Sequence, residues 1–346
     1  MMAVAERRYP MSNLQARPVE IAADPTRGAA PTGVHVLRPR EVPLGGPRAM
    51  TVRRTLPQRD RTFVGAWCFA DHYGPDDVAR TGGMRVPPHP HTGLATVSWL
   101  FAGEIEHRDS AGHHALVRPG ELNLMTAGRG ISHSEVSTAA TTVLHGVQLW
   151  VALPDAARFT EPHFEHHVPD GVTGPGWRAR VFLGAAFGRT SPIATHSPLL
   201  GAELELDPGG RVEVEVDPAF EHGVLVDAGP VTVGGTDGVG GVSSTDGVRL
   251  HPGELGHLSP GRRALPLVAG DAPVRLLLLG GTPFTEPILM WWNFVGRTHE
   301  EIAGFRADWE AGRFALPPGD PLPPLPAPVL PTARLRPRGL PAAEER

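Results

Sequence analysis

His89-Pro90-His91-Thr92-Gly93-Leu94 opens the stretch of chain that decides the fold, and Thr126-Ala127-Gly128-Arg129-Gly130-Ile131-Ser132-His133-Ser134-Glu135 closes it. In a β-strand, residues i and i+2 point to the same side of the sheet. His89 and His91 therefore share one direction, and so do His133 and Glu135. Two such strands facing each other bring three imidazoles and one carboxylate to a single place. Pro90 has no backbone donor and His89 follows Pro87-Pro88, so this strand is expected at an edge or bulge near a barrel mouth. Gly128 and Gly130 allow a sharp turn just before the second pair.

Such a donor set suits Fe(II), Mn, Ni, Cu, Co or Zn and leaves coordination positions for water, dioxygen or substrate. A lone His-X-His is weak evidence in a chain with 17 histidines. The signal comes from two motifs separated by strand and turn chemistry. Thr96 to Phe101, Ala102-Gly103 and Glu104 to His107 have the pattern of a hairpin, followed by turns at Asp109-Ser110-Ala111-Gly112 and Pro119-Gly120. Val143, His145, Val147, Leu149 and Val151 alternate as in a strand with one buried face. A second series of short strands runs from Trp177 to Leu279, beyond a linker at residues 160–176. The expectation is an all-β protein of two tandem barrels.

Composition agrees. Gly 42 and Pro 38 in 346 residues disfavour long helices and suit short strands with tight turns. One helix is signposted near the C-terminus, with Thr298 as N-cap, Glu301 completing a capping box, and Ile302, Phe305 and Trp309 on one face. A net charge of −5 offers no basic field for direct nucleic-acid binding. The single cysteine, Cys68, excludes an internal disulfide and a Cys-rich zinc site. Leu276 to Leu279 is the longest aliphatic run, far short of the ~20 residues of a spanning helix. With no secretory signal pattern at the N-terminus either, a soluble, cytoplasmic protein is expected.

Residues 89–94 and 126–135 closely resemble the signature of pirins, a branch of the cupin superfamily. The resemblance extends to Val52-Arg53-Arg54-Thr55-Leu56-Pro57, Trp67-Cys68-Phe69-Ala70-Asp71-His72, His145-Gly146-Val147-Gln148-Leu149-Trp150, Glu286-Pro287-Ile288 and Trp292-Asn293-Phe294-Val295. It implies two stacked cupin barrels of the double-stranded β-helix or jelly-roll type, with a metal, usually iron, only in the first. Its ligands would be His89, His91, His133 and Glu135. Many cupins carry a glutamate four positions after the second histidine; here that position is Ala95, so the carboxylate must be Glu135.

The chain is thus divided into a mobile tail (1–32), a metal-binding cupin domain (33–165), a second cupin domain without a metal site (166–315), and a solvated Pro-rich tail (316–346). The resemblance implies a quercetin 2,3-dioxygenase-type oxygenase acting on a flavonol or related phenolic with O2, Glu135 doubling as catalytic base. The alternative is a metal- or redox-sensing regulatory binding protein that acts through a protein partner. His107-Arg108-Asp109 is set aside as a chance match to a kinase triplet. His163, His166 and His167 are assigned to a solvated linker, and Gly234 to Gly247 to a flexible hairpin loop. Arg129 is placed either at the site or in water, Trp291-Trp292 between the barrels, and His222 and His257 are isolated.

Overall fold

The computed structural model describes residues 21–22, 33–44, 50–58, 61–234 and 247–335. Most of the expected mobile tail and Gly-rich loop lies outside these residues. Two barrels repeat one plan. In the first, a seven-stranded antiparallel sheet runs in the order His163–His167, Leu122–Thr126, Leu94–Ala102, Val143–Ala152, Trp67–Asp77, Met50–Leu56, Arg40–Leu44. Its four-stranded partner has the order Arg85–His91, Ile131–Ser137, Ile105–Asp109, His114–Val117. The second barrel also has seven strands over four, and its edge strand is His35–Leu37, paired with Leu255–Leu258. Residues 35–37 therefore belong to the second barrel's sheet, although the sequence places them with the first domain.

Three local expectations change. Leu94–Ala102 and Ile105–Asp109 are not a hairpin: Gly103 carries the chain from the seven-stranded sheet to the four-stranded one, as a jelly roll requires. The supposed linker is strand, since His163–His167 pairs along Leu122–Thr126 and Gly171–Gly174 along Trp177–Leu183. Finally, Val143–Ala152 is buried on both faces from Leu144 onward. The second barrel covers the outer face of the first barrel's large sheet, and a shared core joins Trp67, Trp99, Leu149 and Val151 to Phe182, Leu225, Leu277 and Leu279.

That junction also has specific polar contacts. Trp67 Nε1 donates to the carbonyls of Leu200 and Gly280, both at 3.1 Å, and Trp99 Nε1 to Glu203 at 3.1 Å. Gly65, at φ +54°, passes so close to the backbone of Gly281 that any side chain would collide with it.

The helix His299–Glu310 is capped by Thr298, which accepts from Glu301 N; Glu301 reaches back to Arg297 N rather than to the cap itself. Its buried Ile302 and Trp309 pack with Trp291, Trp292 and Phe294, so the tryptophan pair serves this cluster and not the space between the barrels. Residues 316–335 are not a solvated tail. Leu325 and Leu335 are buried in the same cluster, Trp309 Nε1 donates to Leu325 O at 2.6 Å, and Leu325 N donates to Pro88 O at 2.9 Å. The prolines keep this segment extended, and its leucines supply the apolar anchors.

Candidate metal centre

The Arg85–His91 strand is the edge of the four-stranded sheet and pairs with Ile131–Ser137, with His133 opposite His89. The two motif strands are thus hydrogen-bonded neighbours, not facing walls. Between His89 and Val86 the register gains a residue relative to His133 and Glu135, so the bulge falls at Pro87-Pro88. There the prolines' missing N–H groups cost no ladder bonds, and the carbonyls they free are used: Pro87 O by His89 and Pro88 O by Leu325. Gly128 and Gly130, at φ +51° and +150°, make the turn before His133.

All four expected ligands are buried, none more than 2% exposed. His91 Nε2 lies 3.1 Å from both His89 Nε2 and His133 Nε2, and the three nitrogens converge as one group. Glu135 belongs to an overlapping group with His133 and His107. His89 Nδ1 donates to Pro87 O at 2.9 Å and His91 Nδ1 to Asn293 O at 3.1 Å. Carbonyls only accept, so each Nδ1 carries the proton and each Nε2 is bare. Two lone pairs 3.1 Å apart repel unless a cation lies between them, and these residues therefore fit a transition metal.

Burial reinforces this. It pushes His89 down to about 4 and holds His91 and His133 well below the usual imidazole range, with neighbouring histidines adding to the effect. The rings are neutral and ready to ligate at neutral pH. Glu135 is pushed up to about 7 by burial, against a hydrogen bond from Ser98. The Ser98 hydroxyl lies 3.4 Å from Glu135 Oε1 and 2.9 Å from Gln148 Oε1. Trp150 stands edge-on to His91, its ring stacked on Phe69 at 4.1 Å.

Two family models match: Pirin over residues 49–151 and the Pirin C-terminal cupin domain over residues 201–315. The chain belongs to the pirin family. A Pseudomonas aeruginosa protein whose name carries a provisional quercetin 2,3-dioxygenase assignment is 42% identical over 278 residues, 79% of this chain and 82% of the relative. A pirin-like protein of Caulobacter vibrioides is 36% identical over 77% of this chain and 90% of its own. A crystal structure titled quercetin 2,3-dioxygenase from Acinetobacter baumannii superposes with a TM-score of 0.79 at 36% identity, covering 87% of this chain and 97% of that one.

Other residues singled out in the sequence lie elsewhere. Arg129 is exposed and paired with Glu161 at 2.6 Å, outside the site. His166 pairs with Asn123 and Glu121 at the sheet edge, and His163 with Glu165. Cys68 is buried, its thiol pushed up to about 12 by desolvation. In the second barrel, His257 faces Glu221, which also receives Arg61 and Gly65 N.

Two clusters escaped sequence reading. His107 and Asp109 stand inside the first barrel, beside His133. Between the barrels, Asp227 Oδ1 accepts from His72 Nε2 and His145 Nε2, both at 2.6 Å, while Arg275 Nε donates to Oδ2 at 2.6 Å. The second set could converge on an ion, but Arg275 already neutralises the carboxylate and Arg53 adds further positive charge near His72. Its carboxylate is satisfied without a cation, and it acts as a clamp between barrels. His72 and His145 stand 73 positions apart on different strands, and only Asp227, 155 positions from His72, draws them to one point.

Proposed function

We propose that this chain is a metal-dependent oxygenase of the quercetin 2,3-dioxygenase kind, acting with O2 on a flavonol or related phenolic. The observation that carries the reading is the convergence of three buried Nε2 atoms, those of His89 and His91 left bare by carbonyl-fixed tautomers, with Glu135 buried beside them. His89, His91, His133 and Glu135 would hold the ion, with Fe(II) first and Mn, Ni, Cu, Co or Zn as alternatives. When bound, the ion supplies Lewis acidity toward a phenolic hydroxyl and a redox-capable centre for dioxygen chemistry.

The chain's own residues do the rest. Glu135 takes the phenolic proton, and the single Ser98 hydroxyl proton is shared between Glu135 Oε1 at 3.4 Å and Gln148 Oε1 at 2.9 Å. Trp150 stands edge-on to His91, and the Tyr73 hydroxyl is buried without a partner, close enough to Glu135 to feel its charge. The test is aerobic incubation of Fe(II)-loaded protein with quercetin, following flavonol absorbance and released carbon monoxide. Loss of both signals in His89→Ala supports the reading; no turnover by the wild type with any of these metals refutes it.

A metal- or redox-sensing binding role through a protein partner is the second reading. It is favoured by the outer face of the Ile131–Ser137 strand, where Ser132 and Ser134 hold Ala315 O and Asp320 of the Pro-rich segment. A partner retrieved by metal-loaded but not metal-free protein, together with absent turnover, would select it.

A further inference from the structure

His133 has no carbonyl acceptor at Nδ1 like those of His89 and His91; the atom facing it there is His107 Nδ1. We infer that His107 and Asp109 are positioning residues that turn the bare nitrogen of His133 toward the metal. The inference rests on the proposed reading in which His133 is a ligand.

The Ile105–Asp109 strand pairs with Ile131–Ser137, with Asp109 opposite His133 and His107 opposite Glu135. Strand alternation sends both side chains inward, and both are buried. Asp109 Oδ2 lies 3.3 Å from His107 Nε2, and His107 Nδ1 lies 3.4 Å from His133 Nδ1. A carboxylate only accepts, so His107 must carry its proton on Nε2. In that tautomer Nδ1 is bare and can only accept from His133. His133 thereby holds its proton on Nδ1 and leaves Nε2 bare, 3.1 Å from His91 Nε2. One carboxylate thus fixes two rings in succession.

The same geometry shows that His107 is not a further ligand of that ion. Its Nδ1 meets the far side of the His133 ring, and its Nε2 is committed to Asp109. The relay is held rigidly. Asp109 Oδ1 accepts from Ala111 N at 2.9 Å and His113 N at 3.0 Å, and the His113 ring lies 3.1 Å from both oxygens. Phe164 stacks on His107 with ring centroids 4.7 Å apart. Such outer partners of metal ligands characteristically change affinity by about 10–100-fold when altered.

The test uses a substitution that inverts the chain of donors. In Asp109→Asn, the N–H groups of Ala111 and His113 retain the amide oxygen at the Oδ1 position. The amide NH2 then faces His107 Nε2, reverses that ring's tautomer, and sets a proton against His133 Nδ1. Fe(II) and Ni(II) affinity, measured anaerobically by competition with a chromophoric chelator, is expected to fall about 10–100-fold. X-ray absorption should count one imidazole fewer at the metal.

His107→Asn places an amide oxygen near the old Nδ1 position and accepts from His133 without needing Asp109. The double variant should therefore bind metal within a few-fold of His107→Asn alone, a rescue that a merely structural role cannot give. His107→Leu, which offers no acceptor, should lose affinity as Asp109→Asn does, and it decides the matter if Asp109→Asn fails to fold. Wild-type affinity in both Asp109→Asn and His107→Leu overturns the inference, as does a double variant no better than Asp109→Asn. Failure of the wild type to bind either metal overturns instead the proposed reading of the site.

Discussion

Replacing Asp227 with asparagine tests how the two barrels are held. The carboxylate accepts from three donors at 2.6 Å: His72 and His145 of the first barrel on Oδ1, and Arg275 of its own barrel on Oδ2. Asparagine has the same shape but one acceptor and one donor. If its NH2 faces Arg275, donors collide there. If it faces the histidines, both rings must switch tautomer, and His145 Nδ1 then opposes Arg275 Nη2 at 3.4 Å.

Breaking a buried pair of this kind costs about 3–5 kcal/mol. The Arg275 side chain is 28% exposed, and water can serve part of it, so about 3 kcal/mol is expected. For a chain of this size that lowers Tm by roughly 4 °C.

The deficit has a pH signature. Burial by itself would raise the Asp227 carboxyl, but hydrogen bonds from His145 and His72 outweigh it and hold the group well below the usual carboxylate range. A depressed carboxyl contributes stability that is present above its unfolded value of about 4 and is lost as pH falls through the folded one. The carboxyl's own part of the difference should therefore hold from pH 8 to 5 and be lost only at stronger acidity, while His72, which Asp227 supports against desolvation, widens the deficit of the variant below about pH 6.5. Calorimetry of metal-saturated proteins across that range measures it. A Tm change under about 1 °C, or one that shrinks as pH falls from 7 to 5, would refute the clamp.

Glu135→Gln keeps the three histidines and should retain metal while losing about 100-fold or more in turnover, as removal of a general base does; steady-state rates beside metal analysis check this. His222 is buried with Nε2 unpartnered and is pushed down to about 4, chiefly by desolvation. It stays neutral in the fold, so its contribution is intact above about pH 6.5 and is lost as pH falls from there toward 4, by about 3 kcal/mol. In urea titrations, His222→Leu should flatten that part of the pH dependence. Leu325→Ala, in the segment that caps the Trp309 cluster, should destabilise by about 2–3 kcal/mol; a denaturation midpoint unchanged from wild type would return residues 316–335 to the status of a solvated tail.

The expected ligands were legible because strand alternation is local: two residues two apart on a strand share a face whatever surrounds them. His107 and Asp109 have that same spacing, and the signal was present in the sequence. What the triplet lacks on its own is the strand pairing that sets it beside His133. The prolines of 316–335 announced extended chain correctly, but extension does not decide solvation, which Leu325 and Leu335 settle by burial.

Sequence alone determined the two-barrel β architecture, an edge or bulge for the strand of His89 and His91, the glycine turn before His133 and the residues expected to bind metal. Each follows from a period, a missing donor or a permitted φ within a few positions. Tertiary structure alone decided that Asn293, some 200 positions away, fixes the tautomer of His91, that Asp227 joins His72 to His145, and that both faces of Val143–Ala152 are buried. Those contacts depend on how one barrel docks on the other, and docking is set by the shape and charge of whole surfaces, which no short window of sequence contains.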